Sequence, residues 1–266
     1  MLYKTRVMVS FDGYCPLHCK HCYTYELHHQ LKKQRTVDEI VESISGKQFD
    51  IIYVSQSYEN FQKEEDGIEL CKALYDRYRK DIFIITRSRL RGEAINQLYE
   101  LNKKMNDNGN HLFLAVSVCA GKSYGITESI NLCPTPEARL ENLKQAHECQ
   151  INTLLIIRPL FPDTIIPVQE CIQMIQKAKS YIDVVISSGL IVTQKIEEKL
   201  HLANKNIKYS VNGDSEYLAN LNKEGVKYLD VEEELKKIEL CCKKNAIPFY
   251  LHSMPALNHI NEKVLA

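Results

Sequence analysis

Short runs rich in β-branched residues alternate along the chain with longer stretches whose apolar residues recur at helical spacing. The first run, residues 6–10, leads into a cysteine-containing loop. A helix then opens at Thr36, where Glu39 completes a capping box. Runs at 51–55, 82–86, 112–118, 153–157 and 184–187 predict five more strands, with helices at about 66–78, 92–105, 135–148 and 168–180. Thr135 and Pro136 fit an N-cap followed by proline at the first helical position. The strand runs are continuously apolar, as in parallel strands covered on both faces. Right-handed crossovers then give an open doubly wound sheet or a barrel-like curl, and periodicity does not choose between them. In both, ligands gather at the C-terminal ends of the strands.

After Thr193 the pattern weakens. Helices are expected at 195–202, 214–221 and 231–244, with short strands at 209–211 and 249–251. The expected division is a main unit, residues 1–193, and an α+β appendage, residues 194–266, packing on it or capping it.

The 266 residues are 44% hydrophobic and 26% charged, the composition of an ordinary globular protein. Lys plus Arg (34) balances Asp plus Glu (34), so no bulk positive field points to nucleic acid or an anionic membrane. The longest purely apolar stretches, such as 154–157, are too short to span a bilayer. The first residues are charged too early to lead into a signal-peptide core, which sets the expectation of a cytoplasmic protein. Ten cysteines are too sparse for a disulfide scaffold. Most are scattered, but Cys15, Cys19 and Cys22 fall within eight residues.

These three follow the first strand directly, in the spacing CxxxCxxC within Tyr14-Cys15-Pro16-Leu17-His18-Cys19-Lys20-His21-Cys22-Tyr23. Three thiolates in a tight loop hold a soft metal or a cluster. A [4Fe–4S] cluster ordinarily takes four cysteines, so three leave one iron open for another ligand. The alternative is a non-catalytic zinc or iron–sulfur module, with His18, His21 or a distant residue as fourth zinc ligand. Cys241 and Cys242, being adjacent, make a poor second ligand pair.

The motif, its place after the first strand and the six alternations resemble the radical S-adenosylmethionine superfamily over about residues 5–193. The resemblance implies a partial (β/α)6 barrel of parallel strands. It also implies a [4Fe–4S] cluster on Cys15, Cys19 and Cys22, with S-adenosyl-L-methionine chelating the fourth iron. The implied activity is that of an enzyme cleaving S-adenosylmethionine reductively to a 5′-deoxyadenosyl radical, which abstracts hydrogen from a substrate. An electron donor such as flavodoxin or ferredoxin would supply the electron.

The family's Gly-Gly-Glu-like segment after the second strand corresponds here to Ser55-Gln56-Ser57-Tyr58-Glu59, without the glycines. Ser55, Ser57 and Glu59 are therefore the candidates to hold the methionine amino group. Ser117 resembles the position that binds the ribose, and His21 sits where the family has an aromatic residue near the adenine. Thr86 and Arg87 end the third strand, facing the mouth. Arg158 ends the fifth, where a guanidinium can pair bidentately with the methionine carboxylate.

A finer similarity, to the spore photoproduct lyase branch, rests on Glu128-Ser129-Ile130-Asn131, on Pro134 through Leu140, and on Ile157-Arg158-Pro159-Leu160-Phe161-Pro162. It implies a Glu128–Arg139 ion pair shaping the cosubstrate pocket, and Cys119 as a hydrogen donor to a product radical. Strand alternation puts Cys119 on the face of Ser117 if the strand reaches it. Cys133, Tyr58 and Tyr124 are competitors for that role.

The substrate is left open among a small molecule, a peptide and a nucleic-acid lesion of the kind photolyase-like enzymes repair. A nucleic acid would need a basic groove, for which Lys32, Lys33, Arg35, Arg87, Arg89 and Arg91 are the candidates. Only Cys241 and Cys242 lie in 195–266, so no auxiliary cluster is expected there.

Overall fold

The computed structural model describes residues 2–13, 15–23, 33–55, 58–210 and 226–265. The six expected strands are β1 (Arg6–Val9), β2 (Ile51–Val54), β3 (Asp81–Thr86), β4 (Leu112–Val118), β5 (Asn152–Leu160) and β6 (Val184–Gly189). They lie in sequence order, each parallel to the next. Between them run α1 (Val37–Glu42), α2 (Glu64–Tyr78), α3 (Gly92–Asn106), α4 (Pro136–Glu148) and α5 (Val168–Ala178). Local chemistry sets two of the starts. The Thr36–Glu39 capping box closes in both directions on α1. Thr135 accepts from the Ala138 N–H at the head of α4, with Pro136 in the first turn.

Both faces of this sheet are apolar, which is why its strands read as unbroken hydrophobic runs. Ile52, Val54, Ile82, Ile84, Leu112 and Leu114 join the main core with the buried residues of the helices. Ile51, Tyr53, Phe83, Phe113, Leu154 and Val184 face the other way, into a second cluster with Ala256, Leu257 and Ile260. Those last three belong to a helix that the sequence pattern does not announce.

The tail holds β7 (Ile191–Val192), α6 (Gln194–Lys199), β8 (Tyr209–Ser210), β9 (Lys227–Leu229), α7 (Glu232–Lys244), β10 (Phe249–Tyr250) and α8 (Ser253–Leu265). β7, β9 and β8 make a small antiparallel sheet. It crosses the end of β6 so closely that a Cβ on Gly189 would lie 2.9 Å from the Leu229 carbonyl oxygen. β10 adds a seventh parallel strand beside β6, pairing Phe249 with Val185, so the tail extends the main sheet and does more than lie on it. α8 then packs its Ala256, Leu257 and Ile260 against the inner face. The helix expected at 214–221 lies outside the described residues. No described helix is long and apolar enough to cross a membrane.

The protein is thus an α/β structure, a parallel sheet sheathed by helices outside and filled by one helix inside. β1 and β10 are its two edges.

Candidate active site

The cysteine loop leaves β1 through Asp12 and Gly13, both in the left-handed region at φ 61° and 85°. Arg35 pairs with Asp12 at 2.9 Å and holds the turn. Buried Leu17 anchors the loop from beneath. Two of its backbone N–H groups tie it to other strand ends: Phe11 N–H donates to the side-chain Oδ1 of Asn60 (3.1 Å), after β2, and Lys20 N–H to the Thr127 carbonyl (2.9 Å), after β4. Cys15, Cys19 and Cys22 are half-buried and open onto one cavity of about 250 Å³ at the strand ends. Burial pushes the Cys15 thiol up to about 11. The thiol of Cys133 lies 3.8 Å from that of Cys19, which raises the latter. A metal or cluster therefore binds in competition with protons.

His21, Ser55, Glu59, Thr86, Ser117 and Arg158 line the same cavity. The fold thus brings together residues drawn from the ends of five strands. Glu59 is buried, which raises its carboxyl. Three donors oppose that: the Arg87 N–H at 2.7 Å, the Thr86 hydroxyl at 2.8 Å and the Phe61 N–H at 3.0 Å. Ser55 is buried, and its hydroxyl accepts from the Asn60 N–H at 3.1 Å. Ser117 donates to the Arg158 carbonyl at 3.1 Å. Burial, and then the Arg87 charge, drive His21 down to about 3, so its ring is neutral. It packs edge-on against Phe161 with Nδ1 3.1 Å from the Thr127 carbonyl. Arg158 donates from Nη2 to the Leu251 carbonyl at 2.7 Å, while its Nε is buried without a partner among the described residues. Ser57 lies outside the described residues.

Three expected site residues do not reach the cavity. Glu128 and Arg139 do form the expected ion pair, but both are fully buried and neither lines the cavity wall. Arg87 stands between: its Nη1 meets Glu128 at 2.5 Å and its Nη2 donates to the Arg158 carbonyl at 2.9 Å, while its side chain lines the cavity. Cys119 is the other correction. β4 ends at Val118, so the alternation that would have placed Cys119 beside Ser117 has lapsed. Its thiol is turned into the core, 3.1 Å from Glu128 Oε1 and 3.2 Å from Thr127 Oγ1, and burial raises it well above its usual range.

Among the competitors for the donor role, Tyr58 lines the cavity and Tyr124 does not. Arg6, Ser188, Tyr228, His252 and Ser253 line it too and carry no signal in the motifs. The register of Arg6 with Ile51 puts it on the inner face of the sheet.

A tetrahedral zinc holds thiolate sulfurs roughly 3.8 Å apart, given bonds of about 2.3 Å. The sulfurs of Cys15, Cys19 and Cys22 do not all lie within 4.8 Å of one another. His21, Cys119 and Glu128 do each offer a ligand atom within 4.8 Å of the others. There the Glu128 charge is already met by Arg87 and Arg139, and a further cation would face both guanidiniums.

Among solved structures, spore photoproduct lyase complexed with dinucleoside spore photoproduct superposes with a TM-score of 0.58 at 10% identity, over 92% of this chain and 75% of that one. The chain has the fold of spore photoproduct lyase. A double mutant of that lyase with bound S-adenosylmethionine and dinucleoside spore photoproduct matches equally, at 11% identity. Streptococcus suis SuiB bound to S-adenosylmethionine gives 0.56 at 11% identity over 94% of this chain. That match spans 48% of SuiB. The partial barrel of the radical S-adenosylmethionine enzymes is therefore the architecture that frames the cavity here. No protein-family model and no curated protein matches the sequence.

Proposed function

We propose that this protein is a radical S-adenosylmethionine enzyme, with a [4Fe–4S] cluster held by Cys15, Cys19 and Cys22. When bound, the cluster and S-adenosylmethionine would supply a 5′-deoxyadenosyl radical for hydrogen abstraction from a substrate. One observation carries the reading: a three-thiol loop opens onto the same cavity as an arginine whose buried Nε lacks a partner among the described residues. Arg158 suits the methionine carboxylate, because it lines a cavity whose one carboxylate among the described residues, Glu59, is already engaged. Ser55 and Glu59 suit the amino group, Ser117 the ribose hydroxyls, and the neutral His21 ring the adenine. Thr86 positions Glu59 through its hydroxyl. Glu128 and Arg139 act at one remove, by fixing Arg87 at the cavity wall. The proposed setting is the cytoplasm, with a flavodoxin or ferredoxin as electron donor.

Repair of a nucleic-acid lesion is a second reading, since the similar lyase structures hold a dinucleoside photoproduct. The candidate basic groove gives it little support. Arg35 pairs with Asp12, Arg87 with Glu128, and Arg91 with Glu64 and Glu65. Lys32 lies outside the described residues.

The test is anaerobic reconstitution with iron and sulfide, reduction with dithionite and assay of 5′-deoxyadenosine after adding S-adenosylmethionine. The wild type is expected to form the nucleoside and Cys19→Ala to form none. Stoichiometric zinc and no cluster would sink the proposal.

A further inference from the structure

Cys133 has no part in the reading above, and it does not line the cavity. It lies in the loop between β4 and α4, buried against the cysteine loop at two points. Its Sγ is 3.8 Å from that of Cys19 and 3.7 Å from the Leu17 carbonyl oxygen. Backbone fastens the two segments there. The Lys20 N–H bonds the Thr127 carbonyl at 2.9 Å, and the Cys133 N–H donates to the Ser129 carbonyl at 2.7 Å within its own loop. A buried thiol thus stands in contact with one of the three loop thiols.

The contact is close to what a disulfide needs. A bond of about 2.05 Å asks each sulfur to move by roughly 0.9 Å, the size of a turn of about 30° in χ1. Access to the two sulfurs is unequal. Cys19 is half-buried and opens onto the cavity, whereas Cys133 is 3% exposed. A small oxidant entering the cavity therefore meets Cys19 first, with Cys133 behind it.

We propose that Cys133 is a resolving cysteine, which closes a Cys19–Cys133 disulfide when the cluster-free protein meets a peroxide. The Cys19 sulfur takes one oxygen of hydrogen peroxide, the O–O bond breaks, and water leaves with the thiol proton, giving the sulfenic acid. The Cys133 sulfur then attacks the Cys19 sulfur, the S–O bond breaks, and a second water leaves with the Cys133 proton. The two thiols together lose two electrons, and one peroxide is reduced to two waters. The disulfide withdraws one of the three loop ligands, so the oxidised protein holds no cluster until a dithiol reduces the bond. Without Cys133 the sulfenic acid goes on to the sulfinic acid, which thiols do not reverse. The inference rests on the reading above for the loss of cluster binding, though not for the bond itself.

Hydrogen peroxide is the probe, added in small molar excess to the full-length, cluster-free protein, which is then denatured, alkylated and digested without reductant. Mass spectrometry is expected to find Cys19 joined to Cys133, with two of the ten thiols lost. Dithiothreitol followed by reconstitution should return the wild type to about four irons per chain. Cys133→Ser should load iron like the wild type before peroxide. After peroxide its Cys19 is expected as the sulfinic acid, and dithiothreitol restores little of the iron. Cys133 recovered as a free thiol in the treated wild type, or Cys19 joined to Cys15 or Cys22, would overturn the proposal. So would Cys133→Ser regaining its iron as fully as the wild type. The cross-link is read without iron, so a cross-linked protein that never binds iron would sink the cluster assignment and leave the disulfide standing.

Discussion

Glu128 receives two guanidiniums at once, Arg139 from the core side and Arg87 from the cavity side at 2.5 Å. Burial alone would raise this carboxyl. The Arg87 charge and the Arg139 hydrogen bond outweigh it and hold the group down at about 2, against an ordinary 4.5. The depressed group contributes stability that is complete above about pH 4.5 and lost as pH falls towards 2. Urea midpoints of the wild type are expected to fall across that window, with a shallower slope in Glu128→Gln. At neutral pH, Glu128→Gln should cost about 3–5 kcal/mol, because it leaves the buried Arg139 and the half-buried Arg87 without their counter-charge. Equal midpoints for the two proteins at pH 7 would refute this.

The three loop cysteines are not interchangeable with the other thiols near them. Alanine at Cys15, Cys19 or Cys22 should each abolish the capacity for about four irons per chain after reconstitution. Alanine at Cys119, sealed behind Glu128, should leave iron content unchanged, and so should alanine at Cys133. Iron and acid-labile sulfide analysis of the five variants decides it.

Arg158 separates charge from geometry. Arg158→Gln should raise the Kd for S-adenosylmethionine about tenfold or more, as expected for losing a charge-assisted hydrogen bond. Arg158→Lys should fall between, since a lysine keeps the charge and loses the fork. Equilibrium dialysis of the reconstituted proteins reads both, and a Gln variant binding like wild type would remove Arg158 from the site.

Gly67 supports the site from a distance. A Cβ there would lie 2.6 Å from the Phe61 ring and 2.9 Å from the Asn60 carbonyl oxygen. Phe61 is fully buried and has nowhere to go, and it directly follows the Glu59-Asn60 pair. Gly67→Ala is expected to lower stability by about 1–3 kcal/mol. It should also weaken S-adenosylmethionine binding, because the backbone that moves carries Glu59. Unchanged melting and binding would mean that α2 shifts instead.

Several features were written locally in the chain. The alternation of apolar runs located β1 to β6 and α1 to α5, because a parallel strand buried on both faces must be continuously hydrophobic and each crossover helix must be amphipathic. The capping residues Thr36 and Thr135 marked two helix starts for the same local reason. The cysteine spacing named the loop, since a three-point ligand set within eight residues needs no distant partner.

Other features were decided by contacts between distant segments. α8 carries Pro255 in its first turn, and burial of Ala256, Leu257 and Ile260 on the inner face of the sheet holds it in place. β10 was expected as a short strand, but its place as the strand parallel to β6 at the edge of the main sheet was set by that pairing. Cys119 lost its place beside Ser117 because β4 stops one residue short of it, and a strand end depends on its neighbours' lengths. Arg6 and Ser253 line one cavity from positions 247 residues apart. Periodicity reports which face a residue takes within its own element. Which faces then enclose a cavity depends on how the elements pack, and that no local pattern carries.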